Sequence, residues 1–460
     1  MTQIVQNTRE MFQDKIFLKK AVQIACPVAL QGMLNTVVNL VDTLMIGTLG
    51  ATAIAAVGLA NKVFFVFSLL VFGIVSGSGI LAAQFWGSGD VKQIRKVLGL
   101  AVMLSMAGAA FFVVPGLLCP SLVMRIFTTS EASIALGATY LRVAALTYPF
   151  IALTNVFVAM LRAVNKVKVP VITSCIAIVI NIILNYILIF GAFGAPRLGV
   201  VGAAIATLIA RVIEVSLVIG YVYATKSPIA GGLRDLFGWS GHFIRKFLDT
   251  AAPVIANEFM WGLGTTMYSL AYGRMGDDAV AAITIATTIQ DIVTVLFQGL
   301  SAATAVILGN EMGAGKLKRA ERYAVNFFIL QFIVTIAAAL VVLGIRSPLI
   351  SLYSITPEVA RDVSLCILVF ALYMPAKMFN YVNVVGVLRS GGDTKMCLFL
   401  DTSGVWAIGV PLAFLGALVW KLPIYTVYAL VLLEEVYKMI LGYIRYRQKK
   451  WLRNMTLDMG

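Results

Sequence analysis

From Pro27 onward the chain repeats itself 226 positions later, in register and without a gap as far as Lys92, which meets Lys318. Pro27–Val28 falls on Pro253–Val254, and Gly47 and Gly50 on Gly273 and Gly276. Ala53, Ala55 and Ala56 fall on Ala279, Ala281 and Ala282; Gly73, Gly87 and Gly89 fall on Gly299, Gly313 and Gly315. Pro149 and Pro375 keep the same offset. A fixed self-match of this length means one structural unit used twice.

Both copies are apolar. Of the 460 residues 60% are hydrophobic and 12% charged, where a soluble domain carries about 25% charge. Apolar runs near twenty residues recur, and in hydrocarbon such runs must satisfy their own backbone, so they read as helices. The expected fold is an all-α polytopic membrane protein. About twelve transmembrane helices form two pseudo-symmetric six-helix bundles. The expected parts are a polar, interfacial lead-in at 1–19, a first lobe at 20–224, a linker at 225–246, a second lobe at 247–446 and a basic tail at 447–460. Six spans per lobe bring both lobes in from the same side, so the copies are parallel repeats. A duplication of this kind in lipid is characteristic of secondary transporters.

Net charge +15 suggests nucleic acid, but the charges are placed otherwise. With the N-terminus inside, Lys15, Lys19, Lys20, Lys92, Arg95, Arg162, Lys166, Lys316, Arg389 and Arg445 all fall on inner segments. The outer loops keep Arg125, Arg197, Arg274, Arg346 and Lys421. This is the positive-inside pattern, and it places both termini in the cytoplasm. Cys26, Cys119, Cys175, Cys366 and Cys397 are scattered and carry no disulfide or metal spacing. His242, in the linker, reads as solvated. No P-loop, His-Glu-x-x-His or nucleophile elbow is present, so neither an enzyme nor a bound cofactor is expected. Energy would come from an ion gradient.

Charges inside apolar spans cost about 2.5–3.5 kcal/mol each on insertion scales, so they point to function. Asp42 lies in the first span, in its outer half, and its repeat mate is Tyr268. It reads as a coupling acid or as a carboxylate neutralised by Lys62, at similar depth on the second span. Asn181 and Asn185 share one face of the fifth span and serve either as interhelical glue or as the lining of a wet cavity. Asn155, Thr207 and Gln31 are further candidates for that interior surface. In the second lobe Glu258, Asp291, Lys377 and Asp401 are the ionisable candidates, with Lys377 able to neutralise Glu258 or Asp291. Asp393 reads as a loop or cap residue. Arg211 with Glu214, and Glu434 or Glu435 with Lys438, read as local helix pairs.

The chain resembles the multidrug and toxic compound extrusion family, of the bacterial drug-exporter type. The resemblance rests on Pro27 followed by Val41-Asp42-Thr43-Leu44-Met45-Ile46-Gly47, and on Gln84-Phe85-Trp86-Gly87-Ser88-Gly89-Asp90 with its echo at Gly309–Gly315. Asn181-Ile182-Ile183-Leu184-Asn185, the 198–207 segment and Leu388-Arg389 with Gly392-Asp393-Thr394 add to it. It implies a V-shaped pair of six-helix lobes in the bacterial inner membrane, acting as a monomer. Organic, often cationic, compounds leave in exchange for H+ or Na+. The first-helix acid of the family falls on Asp42, and its polar partners fall on Asn155, Asn181, Asn185 and Thr207. Many relatives carry Asp where this chain has Asn185, which weakens a Na+ site in the first lobe and leaves a proton at Asp42 simpler. In some relatives acids of the seventh and tenth helices hold a cation; Glu258 is on the seventh. Two alternatives remain: a lipid-linked oligosaccharide flippase, for which Lys62 and Lys377 would hold a pyrophosphate, and an intramembrane aspartyl protease using Asp42 with Asp393.

Overall fold

The structure, a computed structural model, describes residues 2–353 and 355–459, and every regular element among them is helical. Helix α1 (Thr2–Gln13) leads into the long α2 (Lys15–Gly47), α3 (Ala51–Ser88) and α4 (Val91–Leu118). After the short α5 (Pro120–Arg125), α6 (Glu131–Ala144) runs through a 3-10 turn into α7 (Tyr148–Ala163). Helices α8 (Lys168–Phe190) and α9 (Val200–Ala224) complete the first copy, and α10 (Leu233–Phe237) lies in the connection. The second copy follows as α11 (Gly241–Gly273), α12 (Asp277–Gly313), α13 (Leu317–Ile350) and α14 (Pro357–Asn380), the last extended by a π-helical stretch at Tyr381–Leu388. Helices α15 (Thr394–Ser403) and α16 (Val410–Phe414), joined by further π turns, and α17 (Ile424–Arg447) end it.

Among the described residues ten helical runs are long and apolar enough to cross a membrane. Helices α11 and α17 have the length too, but α11 breaks its apolar run with Asn257 and Glu258, and α17 with Glu434, Glu435 and Lys438. The chain is an all-α polytopic membrane protein.

The repeat is visible in the backbone. Helices α2 and α11 each have 33 residues and an internal proline, Pro27 and Pro253. The turns that follow them end in Gly50 (φ 109°, ψ 168°) and Gly276 (φ 109°, ψ 170°). Side chains are rarely tolerated in that conformation, so the turn requires glycine in both copies.

Compactness divides the chain inside helices rather than at the 225–246 connection. One unit comprises Met1–Ala29 with Ala256–Gly460, the other Leu30–Ile255. Two glycines at the repeat offset show why. A Cβ on Gly299 would lie 2.4 Å from the Ala25 carbonyl oxygen, and one on Gly73 would lie 2.6 Å from Ile255 Cα. Without side chains, α12 receives the beginning of α2 and α3 receives the beginning of α11.

The polar segments are ordered by specific contacts. In the first unit Phe17 is fully buried against Tyr323 and Phe327, and Asp14 faces Arg322 at 3.5 Å. The terminal segment is packed: Trp451 is fully buried, and Arg453 donates to the carbonyls of Gly391 and Gly392 at 2.8 Å. In the other unit Arg95 donates to the Pro228 carbonyl and Trp239 to that of Lys96. His242 is exposed in the first turn of α11.

Candidate functional site

The second unit holds a cavity of about 480 Å³ lined by Asp42, Asn39, Asn61, Ser68, Tyr140, Tyr148, Asn181, Thr207 and Arg211. Its wall is built on helix spacing. Asn181 of α8 and Thr207 of α9 line it, and Asn185, one turn from Asn181 on α8, reaches Asp42 of α2. Tyr148, on the wall, stacks on Phe67 of the adjoining core at 4.6 Å between centroids.

Polar groups run in a chain along this wall. Thr207 Oγ1 donates to the Ala203 carbonyl at 3.0 Å and accepts from Asn181 Nδ2 at 3.3 Å. Asn185 Nδ2 donates to Asn181 Oδ1 at 3.2 Å and to Asp42 Oδ1 at 2.6 Å. Asn185 is fully buried, and its Oδ1 has no hydrogen-bond partner. Among the described residues no cation stands within ion-pair distance of Asp42: Arg211, on the same wall, gives its Nη1 to Glu214 at 2.6 Å. Asp42 is therefore a carboxylate held by one carboxamide, beside a buried acceptor that lacks a donor.

Three other expected members are elsewhere. Lys62 is exposed and not on the cavity wall, because the helical turn gives that place to Asn61. It does not neutralise Asp42. Asn155 is exposed, while its neighbours Thr154 and Val156 face the core. Gln31 is buried but sits deeper along α2, donating to Ser174 Oγ at 2.9 Å and accepting from Arg162 Nη2 at 2.5 Å.

The sequence pattern of the MatE family matches residues 27–187 and again 253–415. The two matches start 226 residues apart, the offset of the internal repeat. The chain belongs to the MatE family. Among relatives of this MatE chain is YisQ of Bacillus subtilis, an uncharacterized transporter, 23% identical over 433 residues and 93% of each chain. A probable multidrug resistance protein, NorM of Thermotoga maritima, is 23% identical over 443 residues, covering 95% of this chain and 94% of NorM. Two solved structures share the fold at 20% identity. A MATE protein crystallised with MaL6 has a TM-score of 0.86, with 94% and 96% of the two chains covered. A MOP superfamily transporter from Pyrococcus furiosus has a TM-score of 0.85, with 94% and 95% covered. The MatE protein is thus a membrane transporter, and the protease alternative falls: Asp393 is occupied by Arg445, at 2.6 and 2.8 Å.

In the first unit of the MatE chain the expected charges sort into two clusters. Glu258 accepts from Arg389 at 2.9 Å, and Asn257 Nδ2 donates to Asp401 Oδ2 at 2.9 Å. Lys377 pairs with neither Glu258 nor Asp291: it faces Glu435 at 3.5 Å, and Asp291 is exposed. Glu435 and Glu434 also face Lys438, at 3.2 and 3.5 Å, and Tyr268 donates to Glu434 at 2.6 Å. Tyr268, the repeat mate of Asp42, thus meets a carboxylate carried on α17. Spacing alone made Glu434 or Glu435 with Lys438 a local helix pair; Lys377 and Tyr268 join them only through packing. Arg389 and Arg162, which fit the inner charge pattern, are turned inward in the MatE fold, Arg389 to 2% exposure.

Proposed function

We propose that this transporter exports organic, often cationic, compounds through the Asp42 cavity in exchange for a proton. The observation that carries this reading is the unpaired Asn185 Oδ1 beside Asp42. With Asp42 ionised, Asn185 donates to it. Once a proton arrives, Asp42 becomes a donor and Asn185 Oδ1 supplies the acceptor it lacked. The same two side chains thus have two hydrogen-bonded states that differ by one proton. Loss of the Asp42 charge removes the counter-charge of a cationic substrate and loosens the wall built from Asn181 and Thr207. The similarity to NorM of Thermotoga maritima and to MdtK of Yersinia pestis, both named for multidrug resistance, supports the substrate class.

The cycle follows from this. Substrate from the cytoplasm meets ionised Asp42, a proton from outside neutralises it, substrate leaves outward, and the proton leaves inward after alternation. One charge moving across 100 mV supplies about 2.3 kcal/mol, enough for roughly fiftyfold accumulation. The protein works in the bacterial inner membrane as a monomer with both termini inside, the side the basic residues favour. Sodium is the second reading, because the carboxylate, two amide oxygens and a hydroxyl are oxygen ligands. The flippase reading loses its cations, since Lys62 lies off the cavity and Lys377 is paired.

Proteoliposomes loaded with a cationic dye test the proposal. Under an imposed pH gradient alone the wild type should accumulate dye and Asp42→Asn should not. Full proton-driven transport by Asp42→Asn would overturn the assignment of Asp42. Transport driven by a sodium gradient alone would replace the proton.

A further inference from the structure

Each unit carries an arginine contact that the transport reading does not use. In one unit Arg162, at the end of α7, donates to Gln31 on α2; Gln31 donates to Ser174 on α8, and Ser174 Oγ donates to Glu214 Oε1 at 2.7 Å. In the other, Arg389 donates to Glu258 on α11, and the adjacent Asn257 donates to Asp401 on α15.

The two sets correspond through the repeat. Gln31 and Asn257 are 226 positions apart, each one turn after its proline, Pro27 or Pro253. Arg162 to Arg389 and Ser174 to Asp401 are each 227 apart. The second copy has gained one residue after Pro375, and there α14 passes into the π-helical stretch Tyr381–Leu388, whereas α7 stays α-helical. A π turn takes up one extra residue within a helix. In a continuous α-helix that residue would swing the following side chains by about 100° around the axis. With it absorbed, Arg389 meets α11 at Glu258, the residue after the mate of Gln31, much as Arg162 meets α2 at Gln31. Two unlike sequences therefore build a similar contact: an arginine holding the first helix of the copy about one turn beyond its proline.

The proline matters because it removes one backbone hydrogen bond and leaves the helix easiest to bend there. Asp42 lies on the segment of α2 beyond that joint, held at its other end by Asn185. We propose that Arg162 and Arg389 are positioning residues that fix the pivot of α2 and α11, so that a change at Asp42 moves a helix anchored at its base. Neither arginine is on the cavity wall. Their loss should therefore slow turnover and leave substrate binding alone.

This inference rests on the transport reading above, and the assay separates the two. Initial rates of cationic dye uptake are measured against dye concentration in proteoliposomes under a pH gradient. Wild type and Asp42→Asn establish the reading itself. Arg162→Gln and Arg389→Gln should each lower the maximal rate about tenfold, the scale of one buried charge-assisted hydrogen bond, with KM within about twofold. Arg162→Lys and Arg389→Lys should recover part of the rate. Should Arg162→Gln fail to fold, Gln31→Leu removes the acceptor instead and should give the same split. A risen KM at unchanged maximal rate, or unchanged kinetics in both variants, overturns the proposal.

Discussion

At the residue scale the decisive group is Asn185. As a carboxamide it serves an ionised Asp42 through Nδ2 and keeps Oδ1 in reserve. Asn185→Leu removes both functions, and proton-driven dye transport in vesicles should fall at least about tenfold, the cost of a buried hydrogen bond to a charged group. Asn185→Asp has a different consequence. A second carboxylate would face Asp42 across a contact of 2.6 Å, and two charges so close require a cation between them or a proton on one. Transport by Asn185→Asp should gain stimulation by sodium at fixed pH; a rate indifferent to sodium would count against an ion site there. That Asn181 and Asn185 share a face was legible from spacing, because i,i+4 residues on an apolar helix face one interior; that Asp42 and Thr207 join them was implied by the family resemblance and not by spacing. Asn155 and Lys62 were misplaced, since depth along a span says nothing of azimuth, and one residue along a helix turns a side chain by about 100°.

At the scale of helices, the glycine contacts and the π turn make opposite predictions about change. Gly73→Leu and Gly299→Leu insert a side chain where even a Cβ would overlap backbone. Such overpacking typically costs about 1–3 kcal/mol or more, so both variants should melt lower in detergent, while Gly79→Ala, with open space at its Cβ, should not. Deleting Val385 from the π stretch should leave Arg389 on Glu258 and preserve transport, because a plain α-helix then spans the same rise. Deleting Val156 from α7, which has no such reserve, should turn Arg162 off Gln31 and abolish transport. Helix positions and the duplication were readable from apolar runs and from the 226 offset. The inserted residue was not, because a single shift after Pro375 looks like divergence until the helix is seen to widen.

For the whole molecule, the tail and the unit boundaries are what sequence could not supply. A run containing Lys449, Lys450 and Arg453 reads as a basic tail, and Trp451 within it has no exposed surface. Trp451→Ala should cost about 3–5 kcal/mol, seen as a lower melting temperature with dye affinity unchanged. The linker at 225–246 looked like the natural division, whereas compactness divides the chain within α2 and α11. Long helices conceal this, since a run of 33 residues is about 50 Å at 1.5 Å per residue and serves two neighbours at different heights.

That division has a bearing on biogenesis. The segment ending at Ala29 leaves the ribosome well before its packing partner, α12 around Gly299, which is synthesised more than two hundred residues later. The N-terminal stretch of α2 must therefore wait in the bilayer, unassembled, through most of translation. A nascent chain stalled before α12 should remain open to protease at its first helix.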